Sequence, residues 1–327
     1  MMQQALAAAW RQWAGPLFRR SVRNLAMILG LIALVFCAVR LAPGDPVDHL
    51  LGEQATVAER AALRHRLHLD GPLHRQFGQM VVEIADGTLG TSYAVAGQPV
   101  AVSALIWKRF PSTAALALTA LAIAVTLALP LGIAGARHAN RWPDHMGRLT
   151  ALFAVSTPAF VSGPLALLVF AVALRWAPTP AHEASELASL ALPAAVIGFA
   201  LSGRLARLLR ASLLETLASD MALAWRARGA SERRVLWRHA LPNAILPVLT
   251  LLGLQLAALL GGALVTEKVF GRKGLGTLLL DGVATRDYAV VQGCVLVIAA
   301  LYIVASAVTQ WTARRLDPRL SLPAVEA

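Results

Sequence analysis

Three histidines in the first quarter of the chain have a spacing that metal ligands can have. His65 and His68 lie three residues apart on a predicted helix, and His74 follows shortly after. Histidines at this spacing can share a divalent metal, but no Cys or Glu completes a ligand set here. A solvated helix face is therefore the better interpretation.

No segment has the spacing of a nucleotide-binding loop or a hydrolytic zinc site. A phosphate-binding loop reads G-x-x-x-x-G-K-[ST], and the nearest glycine cluster, Gly271–Gly276, is spaced differently. The pattern H-E-x-x-H is also missing from the sequence. The apolar blocks contain almost no ionisable residue, whereas an ion-coupled carrier usually places one at mid-span. We therefore expect no catalysis by this chain, and we expect energy for any transport to come from another subunit.

Long apolar blocks dominate the sequence: 57% of its 327 residues are hydrophobic and only 15% are charged. Most blocks approach the roughly 20 residues that cross a bilayer as a helix, and strand alternation is absent. They predict an all-α membrane protein with six transmembrane helices. The blocks are Leu25–Val39, Ala114–Ala136, Leu149–Leu174, Leu187–Leu201, Ala244–Thr266 and Ala289–Thr312.

The distribution of charge orients these spans. The two ends and the loops 136–148 and 203–246 hold 18 Lys and Arg against 6 acidic residues, whereas the other loops hold 11 against 12. This is the positive-inside pattern, and it predicts that both termini lie in the cytoplasm. Membrane topology, rather than nucleic-acid binding, explains the net charge of +12.

The long segment between the first two spans contains no spanning block. A helix over Val57–Leu69 with Thr56 as its N-cap and a second helix over Leu73–Ile84 are predicted there. A Gly-rich, turn-like stretch follows from Asp86 to Val100. We expect a small folded cap on the outer face.

The segment between the fourth and fifth spans is the most informative one. Asp220–Arg228 predicts a short helix, and Gly229 supplies the positive φ that ends it. Ser231 then caps a second helix over Glu232–Leu241, which Pro242 is expected to stop.

The surface of this helix pair is predicted to combine a small apolar stripe with a basic rim. The arginines would suit lipid headgroups, but such a helix equally fits a groove on a partner protein. Both interpretations remain open from the residues alone. The predicted stripe is Ala222, Ala224, Val235 and Leu236, and the predicted rim is Arg226, Arg228, Arg233, Arg234 and Arg238.

The segment resembles the EAA loop of ABC importer permeases, in which a Gly lies four residues after the last Ala position and Leu-Pro follows. Leu223-Ala224-Trp225, Gly229 and Leu241-Pro242 occupy these positions. More specifically, the chain resembles the dipeptide, oligopeptide and nickel permease family from about residue 24 to 320. The runs that carry this resemblance are Val39–Pro46, Gly87–Tyr93, Ser156–Phe160, Ala227–Pro247, Arg286–Gly293 and Leu316–Arg319.

The resemblance implies a type I ABC importer permease fold in a multi-pass protein of the bacterial inner membrane. Residues 1–23 would form a cytoplasmic or interfacial segment, and residues 24–320 the six-span permease domain. Within that domain, 43–111 would be the periplasmic cap and 212–246 the cytoplasmic coupling loop, with 321–327 as a tail.

The resemblance also implies that this permease is one subunit of a larger complex. Its partners would be a second homologous permease, two ATP-binding subunits, a periplasmic or lipid-anchored binding protein, and membrane lipid. ATP and magnesium would bind the partner ATPase, with no cofactor or metal on this chain. The cargo implied is a di- or oligopeptide. Nickel or a metal chelate is the alternative, and an ion-coupled secondary transporter is the rival outside the family.

The coupling loop would dock in a cleft on the ATPase. Trp225 stands where the family usually has alanine, and we expect it to face lipid headgroups. Leu223 replaces the glutamate of the motif's name, and Lys273 replaces a proline in the outer loop. The residues implied in ATPase coupling are Ala224, Trp225, Arg226, Arg228, Gly229, Ser231, Glu232, Arg233, Leu241 and Pro242.

Overall fold

The computed structural model describes residues 29–41, 47, 51, 55–67, 69–93, 99–179, 185–261 and 263–316. These residues form two compact units. Unit 1 consists of the described residues up to Leu105 together with Leu279–Val297, and unit 2 consists of Ile106–Leu278 with the described residues from Ile298 onward. The predicted segments 1–23 and 321–327 lie outside the described residues.

The first elements of unit 1 are short. Helices α1 (Leu29–Leu41), α2 (Val57–Arg66) and α3 (Leu73–Ala85) precede an antiparallel pair of strands, β1 (Thr91–Ser92) and β2 (Val100–Ala101). Helices α2 and α3 confirm the two helices predicted between the first two spans, although α2 ends three residues before Leu69. The strands depart from the all-α expectation, because two residues each are too few to leave a period-two pattern.

A capping box fixes the start of α2. The Thr56 hydroxyl accepts a hydrogen bond from the backbone N–H of Glu59, and the Glu59 carboxylate accepts one from the backbone N–H of Thr56 at 2.8 Å. These reciprocal bonds satisfy backbone donors that a helix start leaves free, so the predicted cap at Thr56 is confirmed.

Aromatic and aliphatic side chains form the core of unit 1. Ile32 and Phe36 of α1 pack with Met80 of α3, and the Phe77 ring meets the Phe36 ring edge-on at 5.5 Å. A buried polar bond links the strand pair to the last helix of the unit: the Ser92 hydroxyl donates to the Asp287 carboxylate at 2.6 Å.

Longer helices make up most of the remaining chain. In two of them a stretch of wider π-helical turns continues an α-helix. The helices are α4 (Val102–Arg137), α5 (Trp142–Ser156), α6 (Ala159–Ala166, continuing as π-helix over Leu167–Ala173), α7 (Glu186–Leu217), α8 (Asp220–Ala227), α9 (Glu232–Arg234, continuing as π-helix over Val235–Ala240), α10 (Leu241–Leu260), α11 (Leu264–Val269), α12 (Leu275–Ala284) and α13 (Tyr288–Leu316).

Within the described residues, four helices are long and apolar enough to cross a membrane: Val102–Arg137, Ala188–Leu217, Glu232–Leu260 and Tyr288–Ala313. Helix α5 and the helix after it meet at a bend of 103° and make a fifth span if the pair crosses as one. The shorter α1 corresponds to the first predicted block, of which residues 25–28 are not described. An all-α membrane architecture is confirmed, and the number of six spans stays a prediction.

Two predicted spans have different bounds in the structure. The fourth was predicted to end at Leu201, but α7 continues to Leu217 because Leu205, Leu209 and Leu213 recur every four residues and are buried. The fifth ends at Leu260 rather than Thr266, and Thr266 is a buried residue of the separate helix α11.

The expectation that Pro242 stops a helix was wrong. Helix α9 runs through its π-helical turns into α10, and the backbone N–H of Leu241 donates to the carbonyl of Leu236, five residues back. Pro242 has no N–H to donate. The neighbouring Asn243 side-chain amide instead donates to the His239 carbonyl at 2.8 Å, so a carbonyl of this turn is satisfied.

Helix α7 is the centre of unit 2. Its leucines form one core cluster with Leu236, Ala244 and Val248 of the α9–α10 helix. On its α5 side the packing is close: a Cβ added at Gly203 would lie 2.7 Å from the carbonyl oxygen of Ala151. Only a glycine permits this approach, so the two backbones pack directly against each other.

Candidate coupling site

Helix α8 leaves the end of α7 after a short turn and is closed by a Schellman motif. The backbone N–H of Ala230 donates to the carbonyl of Trp225 at 3.1 Å, and that of Gly229 donates to Arg226 at 2.9 Å. Gly229 has φ +80°, as predicted, and an added Cβ would meet nothing within 4 Å. The glycine is therefore required by backbone conformation rather than by space.

Arg226 forms hydrogen bonds on both sides of helix α8. Its Nε and Nη2 donate to the two carboxylate oxygens of Glu232 at 2.7 and 3.2 Å, and its Nη1 donates to the carbonyl of Leu217 at 3.0 Å. The Arg226 guanidinium thus joins α8 to the end of α7 and to the start of α9. The hydrogen bonds that Arg226 donates to the Glu232 carboxylate raise the pKa of the Arg226 guanidinium.

Trp225 packs against a neighbouring side chain of the site, and its expected contact with lipid headgroups stays a prediction. Its indole stacks on the His239 ring, with centroids 4.0 Å apart and planes 15° from parallel. The Arg228 guanidinium lies 5.5 Å from the centroid of the indole. The large side chain at this alanine position therefore joins α8 to the π-helical turns, where His239 lies.

The predicted apolar stripe is mostly buried. Ala222 and Val235 have no exposed surface and Leu236 is 6% exposed, because these side chains hold the helix pair against the core. Of the predicted stripe, only Ala224 is on the surface. The exposed apolar surface is supplied instead by Leu223 and Trp237, 63% and 51% exposed.

The basic rim lies on the second helix. Ser231 caps α9 as predicted and accepts a hydrogen bond from the backbone N–H of Arg234 at 3.4 Å. Arg233, Arg234 and Arg238 are exposed, and none of them forms an ion pair with the described residues. These cations remain available to a partner.

The structure therefore brings the predicted coupling residues onto one continuous segment, but with different environments. Arg226, Glu232 and Trp225 hold the turn internally. Leu241 is half-buried. The other predicted coupling residues are exposed, and they are Ala224, Arg228, Gly229, Ser231, Arg233 and Pro242.

Sequence reasoning missed a buried ion cluster at the first turn of α5. The Asp144 carboxylate is fully buried, and it accepts hydrogen bonds from Arg210 Nε at 2.5 Å and Arg210 Nη2 at 2.8 Å. Arg148 Nη2 and the backbone N–H of Asn140 also donate to it, at 2.7 and 2.8 Å. The available signal was that Asp144 is the single acid in the basic loop 136–148.

A second missed residue, Glu267, directly follows the fifth predicted apolar block. Its carboxylate is fully buried and accepts from the Thr113 hydroxyl at 2.6 Å and the Thr277 N–H at 3.0 Å. The Thr113 oxygen in turn accepts from the Leu275 N–H at 2.8 Å. Glu267 thus anchors the first turn of α12, where a negative charge is favoured.

The two described histidines of the possible metal site lie on different helices. His65 lies on α2 and His74 on α3, while His68 is outside the described residues. In the part of the chain that the structure describes, no three His, Cys, Asp or Glu side chains are grouped to hold a metal ion.

Known proteins with the same sequence pattern are transporter subunits. Residues 128–322 match the family described as "Binding-protein-dependent transport system inner membrane component". The glutathione transport system permease protein GsiC of Salmonella paratyphi A is 39% identical over 303 residues, which cover 90% of this chain and 97% of GsiC. GsiC of Escherichia coli O6:H1 is 38% identical, over 90% of this chain and 96% of its own length.

A solved structure has the same fold. In the MetNI methionine ABC transporter, a chain solved in an inward-facing conformation superposes with a TM-score of 0.53 at 16% identity, covering 65% of this chain and 96% of that one. At this identity the match speaks for the fold alone. Together with the family match and the relatives, it shows that the chain belongs to the family of binding-protein-dependent transport system inner membrane components and is a permease subunit of an ABC importer.

Proposed function

We propose that this permease imports short peptides, with glutathione-sized tripeptides within its range. Two relatives with nearly full-length matches are named glutathione permeases, and glutathione is a tripeptide. The permease would form half of a translocation pathway in the bacterial inner membrane, beside a second homologous permease. A periplasmic or lipid-anchored binding protein would deliver the cargo.

We propose further that two partner subunits hydrolyse ATP and that residues 212–246 transmit their movement. The observation that supports this is the geometry of α8: a short, exposed helix whose ends are fixed by Arg226 and by the Gly229 turn. Such a helix can move as a rigid body with α7 when a partner pushes on it. ATP and magnesium would bind those partners, and this chain would need no cofactor.

The test is the ATPase rate of the complete complex in lipid vesicles with its binding protein. The binding protein is added empty, loaded with a tripeptide, or loaded with a nickel chelate. Peptide import predicts severalfold stimulation by the tripeptide-loaded form alone, accompanied by uptake of the labelled tripeptide. Stimulation by the nickel-loaded form alone would contradict the peptide assignment while leaving the importer class in place.

A further inference from the structure

Unit 1 contains a small, partly open polar cavity of about 160 Å³ that the proposed coupling does not use. Residues of α1, α2, α3, β1 and the start of α13 line it. Its polar walls include Arg40 of α1, Gln76 of α3 and Gln292 of α13. All of these elements belong to the same compact unit.

Unsatisfied polar atoms concentrate at this cavity. Among the described residues, five buried side-chain nitrogen or oxygen atoms have no hydrogen-bond partner, and three of these belong to side chains lining the cavity. They are Arg40 Nε, Gln76 Oε1 and Gln292 Nε2. Buried polar groups are nearly always paired in folded proteins, so three unpaired atoms on residues that line one cavity indicate a missing partner. Gln292 is only 8% exposed, which makes bulk water a poor substitute.

These unsatisfied groups are held in fixed orientations. Gln76 Nε2 donates to the carbonyls of Leu69 at 3.1 Å and Gly71 at 2.7 Å, which assigns the unpaired atom as its oxygen. The Arg40 guanidinium is held near two rings, 5.4 Å from the Phe36 centroid and 5.0 Å from that of Tyr288. The cavity therefore offers preorganised donors and a preorganised acceptor.

The charges around the cavity have two signs. Arg66 and Arg286 add cationic groups beside Arg40. Asp287 is occupied, because its carboxylate accepts from Ser92 Oγ at 2.6 Å and from the Val290 N–H at 3.1 Å. Glu83 also lines the cavity and supplies a second carboxylate, which accepts from Gln79 at 3.2 Å.

We propose that this cavity binds a small zwitterionic carboxylate of the size of a free α-amino acid. Arg40 Nε and Gln292 Nε2 would donate to the carboxylate, since a guanidinium–carboxylate pair gives a strong charge-assisted bond. Gln76 Oε1 and the Glu83 carboxylate would accept from the ammonium group. A cavity near 150 Å³ is known to hold a six-carbon ring, so a solute of about six non-hydrogen atoms fits.

The competing occupant is a cluster of ordered water molecules, which can also satisfy buried polar groups. Water would treat every solute alike, whereas a zwitterion site requires both ends of the ligand. The site concerns direct binding to the permease and does not depend on which cargo the complex transports.

The experiment is saturation-transfer NMR on the complete permease–ATPase complex in nanodiscs, without the binding protein. The probes are L-alanine, L-alaninamide, which lacks the carboxylate, and propionate, which lacks the amine. We expect saturation transfer to L-alanine at millimolar concentration, and at least tenfold weaker binding of each analogue. Equal signals from L-alanine and both analogues, or no signal from any probe, would overturn the proposal and leave water as the occupant.

Variants locate the binding on this chain. Arg40→Met should weaken L-alanine binding at least tenfold, and Gln292→Met provides an independent variant of similar length. The matched control is Arg75→Met, because Arg75 is exposed on the same helix as Gln76 but does not line this cavity. Retained basal ATPase activity shows that a variant is folded. L-Alanine binding unchanged in both Arg40→Met and Gln292→Met would place the bound amino acid elsewhere in the complex and contradict the assignment.

Discussion

Arg210 of α7 forms a bidentate salt bridge with the buried carboxylate of Asp144 of α5. Its Nε donates to Oδ1 at 2.5 Å, and its Nη2 donates to Oδ2 at 2.8 Å. Seven residues later α7 ends at Leu217, whose carbonyl accepts from Arg226 of α8. Charge-assisted hydrogen bonds therefore join α8 to the end of α7 and join α7 to α5. If the proposed coupling holds, we expect a push on α8 to move α7 and α5 with it as one rigid body.

The first prediction concerns the salt bridge between Arg210 and Asp144. Asp144→Asn should destabilise the permease by about 3 kcal/mol, because removing one partner of a buried ion pair leaves the other charge uncompensated. Thermal unfolding of the purified complex in detergent would measure the loss. Arg148→Gln is the matched control: Arg148 binds the same carboxylate, but its side chain is 44% exposed, so the cost should be below about 1 kcal/mol. Equal destabilisation by both variants would argue against the special role of Arg210.

The second prediction concerns Gly229. Gly229→Val should abolish cargo uptake while the protein still inserts in the membrane, because a β-branched residue is strained at φ +80°. Space is not limiting, since an added Cβ meets nothing within 4 Å. Uptake in vesicles and membrane content by immunoblot are the measurements.

Gly229→Asn is the control for this turn, because asparagine tolerates a left-handed conformation. It should retain a large part of the uptake. If the valine variant transported as well as wild type, the geometry of the turn would not matter for coupling.

The third prediction separates the arginines of the coupling segment by their environment. The double change Arg233→Ala and Arg234→Ala removes exposed cations that form no ion pair within the described residues, so it should weaken co-purification of the ATPase and leave unfolding unchanged. Arg226→Ala should lower the thermal stability, since it breaks bonds to Glu232 and Leu217. Pull-down of the ATPase and thermal unfolding, both on each variant, distinguish the two effects.

This prediction has a clear counter-result. If the Arg233 and Arg234 double variant binds the ATPase normally but loses affinity for anionic lipid, the exposed rim serves the membrane instead. The same loss of stability in both variants would mean that the rim arginines are structural.

Local patterns were readable from the sequence, whereas long-range polar pairs were not. The caps at Thr56 and Ser231 and the turn at Gly229 depend on neighbouring residues and were predicted correctly. Asp144 meets Arg210 across 66 positions, and Glu267 meets Thr113 across 154, so no local spacing signals either pair. The sequence of a loop has no hydrophobic periodicity, so it does not show whether an acidic side chain there is buried or solvated.

Burial of the apolar stripe was misjudged for a related reason. Ala222 and Val235 were expected on a docking surface because the residues around them are basic. The structure turns these small side chains toward the core, and it leaves Leu223 and Trp237 exposed. A helix of eight residues is too short for its sequence to show which face packs inward when arginines occur on several sides.

The fourth prediction concerns the buried carboxylate of Glu267. Glu267→Gln should destabilise the permease by about 2 kcal/mol, because an amide NH₂ then replaces one oxygen that accepts from Thr113 or Thr277. Thr113→Val should act in the same direction, since it removes the hydroxyl that donates to Glu267 and accepts from Leu275. The measurement is thermal unfolding of the complex in detergent.

A double-mutant cycle decides whether these residues act as one unit. If the carboxylate and the hydroxyl share a network, combining Glu267→Gln with Thr113→Val should cost less than the sum of the single losses, by about 1 kcal/mol. Asp281→Asn is the control within α12, because Asp281 is exposed and its change should cost less than about 0.5 kcal/mol. Strict additivity would show that Glu267 and Thr113 stabilise the fold separately, and that the start of α12 is not held by a shared network.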